Sequence, residues 1–247
     1  MEPLKDKLVL VTGASAGIGR ATARTLARAG ARVVVAARRE ERLRELAEEL
    51  PGAEVLVLDV RDEAACRAAL AERAFDVVVA NAGLAIGMGG VQDGDPADWS
   101  VVLDTNVKGV LHVARHTIGA MIARGSGDLV FLGSVAGRQV YPGGNVYCAS
   151  KHAVRALYEA HRLDARGTGV RVSTVDPGMV ETDFSLVRFE GDAERAAAVY
   201  EGFTPLTPED VADAIHFVVS RPRHVNIGEV VLWPTDQAST TLVHKQS

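Results

Sequence analysis

The fold is decided by the stretch Leu8-Val-Leu-Val-Thr-Gly-Ala-Ser-Ala-Gly-Ile-Gly19, near the start of a chain of 247 residues. An apolar run is followed at once by Gly13, Gly17 and Gly19, and then by a helical pattern that stops at Gly30. A strand, a glycine turn and a helix in this order favour binding of a pyrophosphate. Glycines let the backbone approach the phosphates, and the helix N-terminus offers free N–H groups. The spacing is Gly-x-x-x-Gly-x-Gly rather than the commoner Gly-x-Gly-x-x-Gly, so its position after the first strand gives the motif its weight.

Apolar runs and helical patterns alternate from this stretch to the end of the chain. This alternation, without a linker or repeat, predicts an α/β fold: a single doubly wound parallel sheet (Rossmann-type) with helices on both faces, in one domain over 1–247. The polar, interrupted segment at about 184–205 is interpreted as a flap over the site. The predicted strands are 8–11, 32–37, 54–58, 76–80, 128–133, 170–175 and 230–233. The clearest helices are 40–50, 96–124, 147–165 and 208–220, the last with Thr207 as N-cap and Pro208 at its first position.

Composition excludes several classes of protein. A net charge of −5 and a pI near 5.8 argue against nucleic-acid binding, which favours a basic domain. Two cysteines, Cys66 and Cys148, provide neither a disulfide framework nor a CxxC metal site. No apolar run approaches the roughly 20 residues that span a bilayer, and the first residues lack the apolar core of a signal peptide. We therefore expect a cytoplasmic protein with reduced thiols and no membrane partner.

The end of the second strand predicts which dinucleotide the chain prefers. NAD enzymes usually place an acidic residue there to hold the ribose 2′-hydroxyl. This chain has Arg38 and Arg39 instead, which suit the 2′-phosphate of NADP; the alternative is a basic start to the next helix. Asp59, after the third strand, is placed either to meet the adenine amino group or to cap the following helix.

A second motif, Tyr147-Cys-Ala-Ser-Lys151, indicates acid–base chemistry. Residues four apart rise from the same helix face. A lysine ammonium about 4 Å from the phenol would favour phenolate by roughly 4 kcal/mol at an effective dielectric near 20. This is about 3 pK units, enough to bring the phenol near neutrality. Ser134, at the end of the fifth strand, could bond a substrate oxygen while Tyr147 exchanges the proton. An ordinary surface tyrosine and lysine is the alternative.

Other polar residues leave alternatives open. Asn106, within the predicted helix 96–124, is either a structural hydrogen-bonder or part of a proton relay. His112 and His116 have the i, i+4 spacing of some zinc sites, but no third ligand accompanies them, so we expect no metal. Cys148 is interpreted as a small packed residue rather than a reactive thiol.

In their joint order, these motifs resemble the short-chain dehydrogenase/reductase family. They are Thr-Gly-x-x-x-Gly-x-Gly (12–19), Asn-Ala-Gly (81–83), Asn106, Ser134, Tyr-x-x-x-Lys (147–151) and Pro-Gly-x-x-x-Thr (177–182). The resemblance implies that Tyr147 is the general acid/base, that Ser134 polarises the carbonyl and that Lys151 lowers the phenol's pKa and holds the nicotinamide ribose. It also implies that Asn106 anchors a water linking Lys151 to solvent, and that the protein is a homotetramer with helices 96–124 and 147–165 at its interfaces. Ala80 departs from the family, which often has a second asparagine there.

The resemblance also assigns a set of cofactor-binding residues along the chain. They are Gly13, Ser15, Gly17, Ile18, Gly19, Arg38, Arg39, Asp59, Val60, Asn81, Ala82, Gly83, Tyr147, Lys151, Pro177, Gly178, Val180 and Thr182.

A narrower likeness is to the NADP-dependent 3-hydroxy acid (serine/allo-threonine) dehydrogenase branch. It lies in segments 81–88, 104–106, 141–147, 187–192, 206–211, 224–227 and 234–237. It implies reversible hydride transfer between NADP(H) and C3 of a small hydroxy acid. With Ser134 and Tyr147 as the other substrate contacts, Arg188 on the flap is our hypothesis for the cation that meets the acid group; a solvated arginine or a subunit contact is the alternative. The rival functions are a broader aldehyde or ketone reductase and a silent NADP-binding protein.

Overall fold

The structure, a computed structural model, describes residues 4–245. Met1, Glu2, Pro3, Gln246 and Ser247 of the predicted single domain lie outside the described residues. The strands are β1 Leu8–Thr12, β2 Arg32–Ala37, β3 Glu54–Val57, β4 Val77–Ala80, β5 Gly127–Leu132, β6 Val170–Pro177 and β7 Glu229–Leu232. The α-helices are α1 Gly17–Arg28, α2 Glu40–Glu49, α3 Glu63–Leu70, α4 Pro96–Leu103, α5 Gly109–Arg124, α6 Asn145–Asp164, α7 Phe184–Arg188, α8 Ala193–Ala198 and α9 Pro208–Val219.

These seven strands of the described chain form one parallel sheet in the order β3-β2-β1-β4-β5-β6-β7. The order reverses between β1 and β4, and in open α/β sheets a crevice for ligands forms at the carboxyl ends of the strands at such a point. The predicted doubly wound sheet with helices on both faces is confirmed, and the strand ends differ from the prediction by at most two residues.

The core lies in two layers, one on each face of the sheet. Successive side chains of a strand point to opposite faces, so Val9 and Val11 of β1 pack with α1, α2 and α9, whereas Leu10 packs with α3, α5 and α6. Strands buried on both faces are apolar, as β4 is along its whole length and β2 is after the exposed Arg32.

Two segments contain structure that the sequence did not predict. The helix predicted over 96–124 is interrupted by a π-helical turn, Asp104–Lys108, between α4 and α5. A π-helical turn contains one residue more than an α-helical turn. This one includes Asn106, whose side chain is buried. The flap predicted at about 184–205 contains two short helices, α7 and α8. The predicted cap of α9 is confirmed: Thr207 and Asp210 form a reciprocal capping box.

Candidate active site

One cavity of about 520 Å³ opens at the carboxyl ends of the strands, between β1 and β4 and under the flap. It is lined by every residue that the sequence proposed for cofactor or substrate binding, Ser134 and Arg188 included. Of the proposed catalytic residues, Asn106 does not line it. Folding therefore brings proposed residues from eight segments of the chain to one place.

The glycine loop forms the floor at one end of the cavity. Gly17 has φ +49°, a left-handed conformation that favours glycine, and a Cβ at Gly19 would lie 2.4 Å from the carbonyl oxygen of Gly13. The N-cap of α1 is Ala16, which makes no side-chain capping bond, so the first N–H groups of α1 lack a side-chain cap. Asn81 joins this loop to β4, because its Nδ2 donates to the carbonyl oxygen of Thr12 at 2.7 Å.

The basic end of the cavity contains Arg38 and Arg39, both exposed. Arg39 donates from Nε and Nη2 to Ser15 Oγ at 3.2 and 3.0 Å, so a cation lies beside the glycine loop. Asp59 accepts from the guanidinium of Arg61, which lowers the pKa of that carboxyl. The capping alternative for Asp59 is wrong, because Asp62 is the N-cap of α3 and accepts from the N–H of Ala65 at 2.9 Å.

The catalytic side chains lie at the centre of the cavity. Ser134 lies two residues beyond β5, and its Oγ accepts from the N–H of Ala136 at the start of a short 3₁₀ turn. Tyr147 is in the first turn of α6, and Lys151 follows one turn later. The Nζ of Lys151 donates to the carbonyl oxygen of Leu132 at 2.9 Å and lies 5.9 Å from the centre of the Tyr147 ring.

The predicted tuning of Tyr147 is wrong for this structure. Burial raises the pKa of Tyr147 above its ordinary value, and Tyr141 adds to the rise, while Ser134 and Arg188 act in the opposite sense. Burial also lowers the pKa of Lys151 to about 8, against a smaller opposing effect of Asp176. The reason is that the ammonium is directed at the Leu132 carbonyl while the phenol is desolvated. Tyr147 therefore holds its proton at neutral pH and is suited to donating it.

Asn106 is a structural hydrogen-bonder in this structure. Its Oδ1 accepts from the N–H of Leu84 and its Nδ2 donates to the carbonyl oxygen of Leu84, both at 2.8 Å. Nδ2 also donates to Ser150 Oγ at 3.0 Å. Asn106 thus joins the π-helical turn to the loop after β4 and to α6, and its predicted role in a proton relay stays a prediction.

The flap closes the other end of the cavity through Arg188. The backbone carbonyl of Arg188 accepts from the N–H of Gly87 at 2.9 Å, and Arg188 Nε donates to the carbonyl oxygen of Gly87 at 3.2 Å. Arg188 Nη1 donates to Tyr141 Oη at 2.9 Å, and the guanidinium lies 5.3 and 5.6 Å from the ring centres of Tyr141 and Tyr147. Nη2 is buried with no hydrogen-bond partner, and the residue is only 9% exposed. A solvated arginine is therefore excluded.

Sequence reasoning missed Tyr141 and the apolar wall of the substrate end. Tyr141 lies in the quoted segment 141–147, six residues before Tyr147, and the hydrogen bond to Arg188 gives it a place in the site. The remaining wall comes from irregular segments, for which no motif exists. It consists of Met88, Phe184, Val187, Phe189, Val199 and Tyr200.

The two histidines of α5 contact neighbouring groups within the chain. His112 Nδ1 lies 2.9 Å from the carbonyl oxygen of Val60, and His116 Nε2 lies 2.8 Å from Glu63 Oε1. Between residues 4 and 245, no group of three or more potential ligands could hold a metal ion. Cys148 is buried, as predicted for a packed residue. No helix within that range has the length and apolar character needed to cross a membrane.

Known proteins resemble this chain over nearly its whole length. A family model described as short chain dehydrogenase matches residues 7–192. Sulfoacetaldehyde reductase 2 of Chromohalobacter salexigens is 46% identical over 240 residues, covering 94% of this chain and 95% of that protein. NADP-dependent 3-hydroxy acid dehydrogenase YdfG of Escherichia coli is 41% identical over 247 residues, covering 97% and 100%. The solved closed form of serine dehydrogenase complexed with NADP+ superposes with a TM-score of 0.92 at 41% identity, again covering 97% and 100%.

Proposed function

The chain belongs to the short-chain dehydrogenase/reductase family, and on that premise we propose that it is an NADP(H)-dependent oxidoreductase acting on a small 3-hydroxy acid. The reaction is reversible hydride transfer at the hydroxyl- or carbonyl-bearing carbon, C3 of the acid. The observation that carries the substrate class is the buried, unpartnered Nη2 of Arg188 in the cavity that also holds Tyr147.

The residues of the cavity fit NADP(H). The space above Gly19 admits no Cβ, and the uncapped start of α1 is suited to the pyrophosphate. Arg38, Arg39 and Ser15 would hold the 2′-phosphate, whose dianion matches the guanidinium groups. The cofactor, when bound, supplies or accepts the hydride. The NADP-dependent name of a relative that is 41% identical over the whole chain supports this assignment.

The proton is the part of the chemistry that the chain itself performs. In reduction, Tyr147 donates its proton to the oxygen of the carbonyl, which Ser134 polarises by a hydrogen bond. Because the pKa of Tyr147 is raised, the phenol carries its proton at neutral pH and can donate it in the reaction. In oxidation the step runs in reverse: Tyr147 first gives up its own proton to solvent, and the resulting phenolate takes the hydroxyl proton. Lys151 provides a positive charge beside these groups, held in place by the carbonyl of Leu132.

The position of Arg188 supports a substrate with an acid group close to the reacting carbon. Its guanidinium lies 5.6 Å from the ring centre of Tyr147, so a short molecule can reach both side chains. The names of two relatives share this chemistry: a 3-hydroxy acid and sulfoacetaldehyde each carry an anionic group on the carbon next to the reacting one. Tyr141 contributes by holding Nη1, which leaves Nη2 for the anion.

A substrate panel tests this proposal against its rivals. Serine, 3-hydroxybutyrate, 3-hydroxyisobutyrate, sulfoacetaldehyde and neutral ketones would be assayed with NADP(H) and with NAD(H). We expect the anionic compounds to be preferred by at least about tenfold in kcat/KM, the value of one charge-assisted hydrogen bond. Equal turnover of neutral ketones would instead indicate the broader reductase. Tight NADPH binding without turnover of any compound would indicate the silent protein.

Arg188→Ala separates the acid-binding role from a general effect of the flap. We expect its KM for the preferred 3-hydroxy acid to rise about tenfold or more, with the KM for a neutral ketone unchanged. Arg195→Ala is the matched control, because Arg195 lies on α8 of the same flap, packs on Phe189 and does not line the cavity. An unaltered KM for the acid in Arg188→Ala would eliminate this assignment.

We also propose a cytoplasmic homotetramer built from single-domain subunits. The large apolar side chains exposed on the helices predicted to form the interfaces support this assembly; they are Leu103, Leu111 and Ile122 on α4 and α5 and Leu163 on α6, the last 73% exposed. Light scattering after size-exclusion chromatography gives the mass directly, and a monomer at micromolar concentration would contradict the assembly.

A further inference from the structure

Ser150 lies between Tyr147 and Lys151 on α6 and is fully buried, with 0% of its surface exposed. Its hydroxyl donates to the backbone carbonyl of Tyr147 at 2.7 Å. A hydroxyl has one hydrogen, so the oxygen is left to accept, and it does so from Nδ2 of Asn106 at 3.0 Å. Ser150 thereby also determines which way the Asn106 amide points.

Asn106 passes this constraint to the loop after β4. Its amide makes two hydrogen bonds with the backbone of Leu84, one accepted and one donated. Gly83 occupies the space between Asn106 and Lys151: a Cβ there would lie 3.2 Å from Asn106 Oδ1 and 3.7 Å from Lys151 Nζ. The contact between Ser150 and Asn106 therefore connects this loop to α6. The distance between the loop and α6 in turn limits where the Lys151 ammonium can lie.

The helix alone would not favour serine at this position. A serine that bonds back to a carbonyl in the preceding turn slightly destabilises a helix, and alanine has the best helix propensity. The partner of the buried serine is Asn106 on the π-helical turn, and this hydrogen bond accounts for serine at the position. Such π-helical turns are frequent at functional sites.

We propose that Ser150 is a positioning residue for the proton-transfer group: its hydroxyl fixes Asn106 and the Gly83 loop at the distance from α6 that Lys151 requires. This role rests on the oxidoreductase function proposed above. The side chain acts through Asn106 and the backbone and does not line the cavity.

The test compares Ser150→Ala with a matched control, Thr117→Val. Thr117 on α5 is also buried and also bonds back to a carbonyl of its own helix, that of Val113 at 2.8 Å, but it lies outside the cavity lining. We expect Ser150→Ala to lower kcat about tenfold while the Kd for NADPH stays within about twofold, and Thr117→Val to change neither. Ser150→Thr, which keeps the hydroxyl, should restore kcat.

A double-mutant cycle completes the test. In an Asn106→Ala background, Ser150→Ala should cause no further loss of kcat, because the two side chains act as one unit. Independent, multiplying losses would overturn the proposal, as would an unchanged kcat in Ser150→Ala; Ser150→Cys serves if the alanine variant does not fold. If the wild-type protein turns over no carbonyl compound, both the proposed function and the role of Ser150 are overturned. If the wild type is active and Ser150→Ala has the same kcat, only the role of Ser150 is overturned.

Discussion

Lys151 and Tyr147 are perturbed in opposite directions by the same burial, and this determines the expected pH profile. The pKa of Lys151 is lowered to about 8, whereas that of Tyr147 is raised. As pH increases through about 8, Lys151 loses its charge while Tyr147 keeps its proton. We therefore expect kcat for carbonyl reduction to be constant near neutrality and to fall above about pH 8, in stopped-flow or steady-state assays of NADPH oxidation.

The substitution Lys151→Arg assigns this alkaline limb. Arginine stays charged above pH 12, so its variant should lose the limb even where its rate is lower. The charged or titratable groups that act on Lys151 are Tyr147 on its own helix and Asp176 on β6. A wild-type profile that stays flat to about pH 10, or a limb that persists in Lys151→Arg, would contradict the assignment to Lys151.

Arg38 belongs to the cofactor end, and its substitution should change the choice of dinucleotide. Arg38→Asp removes the cation that we propose for the 2′-phosphate and adds a repelling charge, so we expect kcat/KM for NADPH to fall at least about 10- to 100-fold relative to NADH. Arg42→Asp makes the same charge change on α2, where Arg42 pairs with Glu45 and does not line the cavity. Michaelis constants for both cofactors that match the wild type in Arg38→Asp would contradict its role.

At this scale the sequence predicts identities better than environments. The glycine loop, the arginine pair, Ser134 and the Tyr147–Lys151 spacing could be picked out from the sequence because each motif is local, and all of them line the one cavity. The pKa of Tyr147 could not, because it depends on burial and on Tyr141 and Arg188, which come from other segments. The contact between Tyr141 and Arg188 joins residues 47 positions apart, and nothing local indicates it.

Arg171 on β6 holds the end of α9 at the opposite edge of the sheet. It is buried, pairs with Asp128 at 2.5 Å and donates to the carbonyl oxygens of Val219 and Arg221 at 3.0 and 2.7 Å. Removing Arg171 leaves the buried Asp128 carboxylate with only the longer, half-exposed pair to Arg223 Nη1 at 3.4 Å. Breaking a buried pair in this way costs about 3–5 kcal/mol. We expect Arg171→Met to lower the free energy of unfolding by about this amount in urea titrations, with partial recovery in Arg171→Met/Asp128→Asn.

An exposed pair provides the control for this element. Arg73 pairs with Glu54 at 2.6 Å, and the Glu54 side chain is largely solvated. Surface pairs contribute about 0–1 kcal/mol, so Arg73→Met should have a much smaller effect. Equal losses of stability in the two variants would show that burial of the Asp128–Arg171 pair is not what matters.

Among the elements, strands and capped helices could be predicted and the π-helical turn could not. Thr207, Pro208, Glu209 and Asp210 form a local start signal for α9, and the structure bears it out. The turn at Asp104–Lys108 has no such signal, because Asn106 in this turn bonds to Leu84 and Ser150, which are distant in sequence.

The whole molecule is organised by the reversal of strand order between β1 and β4. Alternating strands and helices predicted the class of fold because parallel strands require crossovers and are buried on both faces. The closing of the cavity by the flap could not be predicted, since it depends on the pairing of Arg188 with Gly87 across about 100 residues of chain.

The account depends most on Tyr147 as the group that transfers the proton within this cavity. The most direct measurement is the single-turnover rate of NADPH oxidation by Tyr147→Phe with the preferred anionic carbonyl compound, alongside the Kd for NADPH. Loss of a general acid typically costs 10²- to 10⁴-fold. We expect a fall of that size with nearly unchanged NADPH binding; a rate within a few-fold of the wild type would contradict the account.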